Sequence, residues 1–141
     1  VTRESERRRS RVAKVLIIED SPAQAAIISE IVKDAGHDSF VCKEFTKGVL
    51  TMLQPTNPDL VLLDLTLLGP DGTPVGDGFQ ICKEIKRLTK GSVAVVVVSA
   101  KEDDASAEWA IMQGADAFLQ KPFAVEDLLG VMKEALAAMG K

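Results

Sequence analysis

The sequence predicts an α/β domain: a five-stranded parallel sheet with helices on both faces, built as (βα)5. Three observations carry this. First, short apolar runs stop abruptly at polar groups. Val15-Leu16-Ile17-Ile18 runs into Glu19-Asp20, and Leu60-Val61-Leu62-Leu63 into Asp64. The valine-rich run 93–98 precedes Ser99-Ala100-Lys101, and Ala117-Phe118-Leu119-Gln120 precedes Lys121-Pro122. Unbroken apolar runs of this length read as strands covered on both faces. Second, segments with helical apolar spacing alternate strictly with those runs, and crossovers of that length imply parallel strands. Third, the chain has 141 residues, the size of one domain with a substantial core, and no internal repeat divides it.

Each element can be justified in order. Residues 1–12 are polar and arginine-rich, without apolar period, and are expected to form a disordered tail or linker ahead of a folded domain over 13–141. Strand one covers about 14–18. Ser21-Pro22 then opens a helix, with Ser21 as N-cap and Pro22 in the first turn. Ala26, Ile27, Ile31 and Val32 are its expected buried stripe, and Gly36 ends it. Strand two is short, about 39–42. A second helix, about 45–53, is expected to stop before Pro55. Strand three is the run that ends at Asp64. The glycines and prolines of 66–78 make a long loop. Helix three, about 79–89, has Phe79, Cys82, Ile85 and Leu88 on one face. Gly91 precedes the valine strand. Helix four starts near Asp103 or Asp104 and ends at Gly114; its Trp109 suits packing or a partner contact. Strand five is about 117–119. Helix five, about 125–139, has Leu128, Leu129, Met132 and Leu136 as its stripe.

Composition narrows the function. Residues 1–11 hold five arginines and two glutamates, while the whole chain carries −4, leaving about −7 on the rest. An acidic body argues against direct nucleic-acid binding, and no apolar run is long enough to span a membrane. Cys42 and Cys82 lack metal-ligand or CxxC spacing and read as small buried hydrophobes. His37, the one histidine, lies in a helix-to-strand turn and is expected at the surface. One histidine makes a histidine-based triad or metal site improbable.

The strand ends hold the chemistry. Ligands of open α/β sheets bind beyond the carboxyl ends of the strands. If strands one and three are neighbours, Glu19, Asp20 and Asp64 crowd together there. Two such charges about 4 Å apart repel by about 4 kcal/mol at an effective dielectric near 20, so the cluster calls for a cation. An all-oxygen ligand set suits Mg²⁺. Lys121 supplies a point positive charge for a phosphoryl group, and Ser99 a hydroxyl. A carboxylate nucleophile, a divalent ion, a lysine and a hydroxyl together make a phosphoryl-transfer site with an acyl-phosphate intermediate. The absence of a Walker A or GxGxxG pattern argues against a nucleotide donor held by this domain.

Val15 to Ser21, Asp59 to Asp64, Val97-Val98-Ser99-Ala100 and Gly114 to Phe123, in this order and spacing, resemble the response-regulator receiver domain of two-component systems. The similarity covers about 13–139 and implies the flavodoxin-like receiver fold. It implies that Asp64 accepts a phosphoryl group from a histidine kinase or phosphotransfer protein. It further implies Mg²⁺ held by Asp20, Asp64 and the backbone carbonyl of Thr66, with Glu19 acting through water. Lys121 would pair with the phosphoryl group, Ser99 would swing to it, and Phe118 would turn inward. Thr66 and Lys101 occupy positions that tune the phosphoryl-aspartate lifetime, and Lys121-Pro122 would be cis. The readout surface would be helix four, strand five and helix five, meeting a downstream protein or a second copy in a phosphorylation-dependent dimer. The expected role is a cytoplasmic phosphoacceptor, not a conventional enzyme. One departure stands out: Gly78 lies fourteen residues after Asp64, about six more than the family pattern, so the loop is either a tolerated insertion or a partner- or lifetime-specific element. Two other readings remain. One is a degenerate receiver acting only by protein binding. The other is a haloacid-dehalogenase-like phosphatase, disfavoured because Thr66 stands where that class has a second Asp and because Asp64 lies on the third strand.

Overall fold

The computed structural model describes residues 12–19, 21–42, 49–64, 78–99, 111 and 114–140, with the backbone course alone at 49–52, 64, 78–80 and 99. Five strands make one parallel sheet: β1 (Lys14–Ile18), β2 (Asp38–Cys42), β3 (Leu60–Asp64), β4 (Ala94–Ser99) and β5 (Ala117–Gln120), in the order β2-β1-β3-β4-β5. The described helices are α1 (Pro22–Asp34), α2 (Val49–Thr56), α3 (Gly78–Leu88) and the C-terminal α4 (Val125–Ala138). The fourth helix expected from the sequence, 103–114, lies outside the described residues except for a helical Ile111 and the turn at Gly114.

The unbroken apolar runs are explained by two cores, one on each face of the sheet. Alternate residues of a strand point to opposite faces. Val15 and Ile17, Leu60 and Leu62, and Ala94, Val96 and Val98 pack with Ile28 and Val32 of α1 and with Leu128, Met132, Ala135 and Leu136 of α4. Leu16 and Ile18, Val61 and Leu63, and Val95 and Val97 pack with Leu53 of α2 and with Ile81, Cys82 and Ile85 of α3. Each fully buried Leu, Ile or Val contributes about 1.5–3 kcal/mol relative to exposure. The edge strands β2 and β5 depart from this pattern: Phe40 and Val41 are partly exposed, and Ala117 and Phe118 only half-buried, because the sheet ends there.

Helix boundaries follow local chemistry. The Ser21 hydroxyl accepts from the Gln24 N–H at 3.4 Å, capping α1, and Pro22 occupies its first turn. Gly36, at φ +90, reverses the chain after α1, a conformation that glycine adopts without a Cβ penalty.

At the amino edge of the sheet, Lys86 of α3 donates to Asp116 Oδ2 at 2.9 Å and to the Val93 carbonyl at 2.9 Å. The same carboxylate oxygen accepts from the Val95 N–H at 2.8 Å. Gly114 brings the chain close to this pair: a Cβ there would lie 3.2 Å from Lys86 Cγ.

Three expectations are corrected. The buried stripe of α1 is Ala25, Ile28 and Val32, with Ile31 half-buried; Ala26 and Ile27 face outward, Ile27 at 61% exposure. Four consecutive apolar residues, 25–28, leave the phase of the helix open in the sequence, and packing on β1 selects it. Helix α2 runs through Pro55 to Thr56 instead of stopping before the proline. Proline there removes one helical bond of the final turn, which closes through Asn57 N–H to the Leu53 carbonyl at 2.7 Å. The expected start of that helix at 45 falls outside the described residues. His37 is half-buried, and its Nδ1 accepts from the Ala13 N–H at 3.0 Å.

Candidate functional site at the carboxyl edge of the sheet

Parallel strands bring their carboxyl ends to one edge. Asp64 is the last residue of β3 and Ser99 the last of β4, while Glu19 and Lys121 directly follow β1 and β5. Ile18 is paired with Leu63, Asp64 with Val98, and Ser99 with Gln120. With neighbouring strands about 4.8 Å apart, the backbone positions of Glu19 and Asp64 are adjacent.

Glu19 is the one buried charged residue among those described, at 2% exposure. A buried carboxylate needs compensation. Glu19 Oε1 accepts from the Ser21 N–H at 3.1 Å, and Oε2 accepts from Lys121 Nζ at 3.2 Å. Lys121 also donates to Gln24 Oε1. These contacts close a ring. Glu19 takes the Ser21 N–H, Ser21 takes the Gln24 N–H, and Gln24 and Glu19 both take the ammonium. The Lys121 side chain starts beyond β5 and ends against β1 and α1. In the order β1-β3-β4-β5 it therefore bridges the ends of β4 and β3, where Ser99 and Asp64 stand.

Of the residues expected at the site, Glu19 and Lys121 are in direct contact, and Asp64 and Ser99 occupy the same edge by backbone position. Asp20, Thr66 and Lys101 lie outside the described residues, as do Trp109 and, except for Gly78, the segment 66–78 expected as a long loop. Phe118 is half-buried against the core on the α2–α3 face, and Lys121-Pro122 is cis. Gln24 was missed. Its signal is positional: a Ser-Pro cap directly after β1 puts residue 24 in the first turn of α1, above the strand ends.

Neither cysteine competes for the chemistry. Burial pushes the Cys82 thiol up to about 11, with nearby Lys86 opposing and Asp116 reinforcing the shift, so it stays protonated and a poor nucleophile at neutral pH. Cys42, half-buried, packs against the α2–α3 core.

The donor set fits a hard divalent cation. Glu19 and the backbone position of Asp64 share one edge, and the residue types expected there, Glu19, Asp20, Asp64 and the Thr66 carbonyl, offer oxygen alone; among the described residues no three His, Cys, Asp or Glu side chains gather into a metal-sized group. At least two of the roughly four lone-pair positions of Glu19 are used by Ser21 and Lys121, which suits a ligand acting through water.

Comparison with known proteins identifies the family. The family model described as response regulator receiver domain matches residues 15–133. The transcriptional regulatory protein YxdJ of Bacillus subtilis is 28% identical over 123 residues, 87% of this chain and 50% of the relative. The DNA-binding response regulator MtrA of Mycolicibacterium smegmatis shows the same identity and coverage. The chain thus spans about half the length of the curated relatives it matches. Among solved structures, NtrX of Brucella abortus superposes with a TM-score of 0.76 at 27% identity, over 92% of this chain and 27% of that one. The chemotaxis protein CheY4 of Vibrio cholerae superposes at 0.74 over 88% of this chain and 98% of its own, with 22% identity, and shares the fold. The described residues contain no helix long and apolar enough to cross a membrane. With the family's model matched over most of its length, the chain belongs to the response regulator receiver domains of two-component signalling.

Proposed function

We propose that this receiver takes a phosphoryl group onto Asp64 from a histidine kinase or histidine phosphotransfer protein and thereby switches a docking surface. The observation that carries the proposal is the reach of Lys121 across the ends of β4 and β3 to the buried Glu19. That course leads the ammonium past the end of the strand whose last residue is the phosphoacceptor.

A carboxylate oxygen of Asp64 attacks phosphorus. The bond from phosphorus to the donor breaks, its electron pair leaves with the donor, a histidine donor recovers its proton from solvent, and an acyl phosphate remains. Asp20, Asp64 and the Thr66 carbonyl would hold Mg²⁺, with Glu19 acting through water; the ion supplies charge neutralisation and orients the phosphoryl oxygens. Lys121 meets the charge that gathers on those oxygens. Ser99, at the end of β4, then donates its hydroxyl to the phosphoryl group, and Phe118 fills the space this clears. The segment 103–114, β5 and α4 form the surface that changes and meets a downstream protein or a second copy. Thr66 and Lys101, at positions that tune the lifetime of the phosphoryl-aspartate in the family, would set it here. Such a domain acts as a cytoplasmic phosphoacceptor that promotes its own phosphorylation and dephosphorylation.

The test is intact mass after incubation with acetyl phosphate, with and without Mg²⁺. Wild type gains one phosphoryl group only with the ion, and Asp64→Asn gains none. A Mg²⁺-dependent gain in the Asp64→Asn protein would move the acceptor elsewhere, and no gain in wild type, also with a histidine kinase as donor, would leave a receiver that acts by binding alone.

A further inference from the structure

The ring of contacts around Lys121 includes a residue that phosphoryl transfer itself does not require. Gln24 lies at the third position of a capped helix, where the Ser21 hydroxyl takes its backbone N–H. Its side-chain oxygen accepts from the Lys121 ammonium beside the contact to Glu19. An ammonium has three N–H donors. Glu19 is buried, and its carboxylate is fixed by the Ser21 N–H, so it is a permanent partner. Gln24 is an exposed, neutral acceptor on a flexible stem, and a donor engaged by Gln24 is withheld from a phosphoryl oxygen.

We propose that Gln24 is a positioning residue that competes with the phosphoryl group on Asp64 for the ammonium of Lys121 and so restrains phosphorylation. This rests on the phosphoacceptor reading above. Gln24 holds the lysine toward α1 in the unphosphorylated protein, and phosphorylation draws it over β3. A ligand-free receiver is thereby kept from reacting quickly with small, non-cognate donors.

Two substitutions bracket the effect, and both suit the helix. Gln24→Leu keeps the bulk and removes the acceptor. Gln24→Glu adds a second carboxylate at the ammonium, and its place three residues after the Ser21 cap favours α1. Phosphorylation by acetyl phosphate with Mg²⁺ is expected in the rate order Leu, then Gln, then Glu, with about three- to tenfold between neighbours, the net worth of one ordinary solvent-exposed hydrogen bond. A second readout needs no phosphoryl donor: the ¹³Cε signal of Lys121 gains mobility in Gln24→Leu and loses it in Gln24→Glu. A purely structural Gln24 would shift the unfolding midpoint without producing either order. Wild type that is phosphorylated while all three rates agree within twofold overturns the inference alone. Wild type that takes no phosphoryl group on Asp64 overturns it together with the reading beneath it.

Discussion

His37 shows what a single residue owes to its surroundings. The sequence places it in a helix-to-strand turn, and nothing local marks it as more than a surface group. In the folded chain its Nδ1 accepts the Ala13 N–H, beside the Asp38 N–H to Ala13 carbonyl bond of 2.9 Å that starts the pairing of β1 with β2. Burial lowers its pKa from 6.5, outweighing the opposite pull of Asp38. A group whose pKa is lowered on folding contributes stability that is complete above its unfolded value and is lost as pH falls from there through its folded value. The urea midpoint of wild type should therefore hold above about pH 6.5 and decline below it, relative to a His37→Gln protein that cannot titrate there. Parallel pH profiles of the two proteins would exclude the role. The residues of the functional edge were far more legible. Asp64 and Lys121 stand out because each is a charge at the end of a short strand-like run, a purely local signal. His37 and Gln24 do not, because each acquires its partner only once distant strands and helices have come together.

Helix α1 separates the local from the tertiary at the next scale. Its ends were readable: Ser21-Pro22 and Gly36 act through their own backbone preferences, and both boundaries fall there. Its phase was not. Ala25, Ala26, Ile27 and Ile28 offer an apolar arc wider than one face, and the sequence reading chose the wrong side of it. Substitution distinguishes the two isoleucines. Ile28 is 4% exposed between α1 and the sheet, so Ile28→Ala should cost about 2–4 kcal/mol through lost burial and a residual cavity. Ile27 is 61% exposed, and Ile27→Ala should stay within about 0.5 kcal/mol. Urea denaturation of both proteins checks this, and equal losses would contradict the observed phase. Helix α2 teaches the same lesson from its end. Pro55 predicts a stop, yet a proline in a final turn forfeits little, and Thr56 and Asn57 complete that turn through the Leu53 carbonyl. The strands were easier because a run buried on both faces has no phase to mistake.

At the scale of the whole molecule, parallel order decides where charge collects. The order β2-β1-β3-β4-β5 makes β1 and β3 neighbours, so Glu19, directly after β1, shares an edge with Asp64, the last residue of β3. The chain outside residues 1–11 is already acidic by about seven charges. Glu19 has Lys121 as counter-ion, and one lysine does not balance Glu19, Asp20 and Asp64 together. On the proposed reading, with Asp20 and Asp64 beside Glu19, the folded chain would hold unfavourable charge at this edge, about 4 kcal/mol for each close pair left without a counter-ion. A bound cation would relieve that repulsion. Two consequences can be measured by denaturation. In metal-free buffer, Asp64→Asn should be no less stable than wild type, and more so to the extent that repulsion dominates, since it removes one charge and keeps the shape. Added Mg²⁺ should stabilise wild type progressively, by about 2.7 kcal/mol at a hundred times its dissociation constant, and should stabilise Asp64→Asn much less. A mutant that loses stability without metal would mean that Asp64 is already compensated in the folded chain. A wild type indifferent to Mg²⁺ would mean that the gathered carboxylates serve the lysine and not a metal.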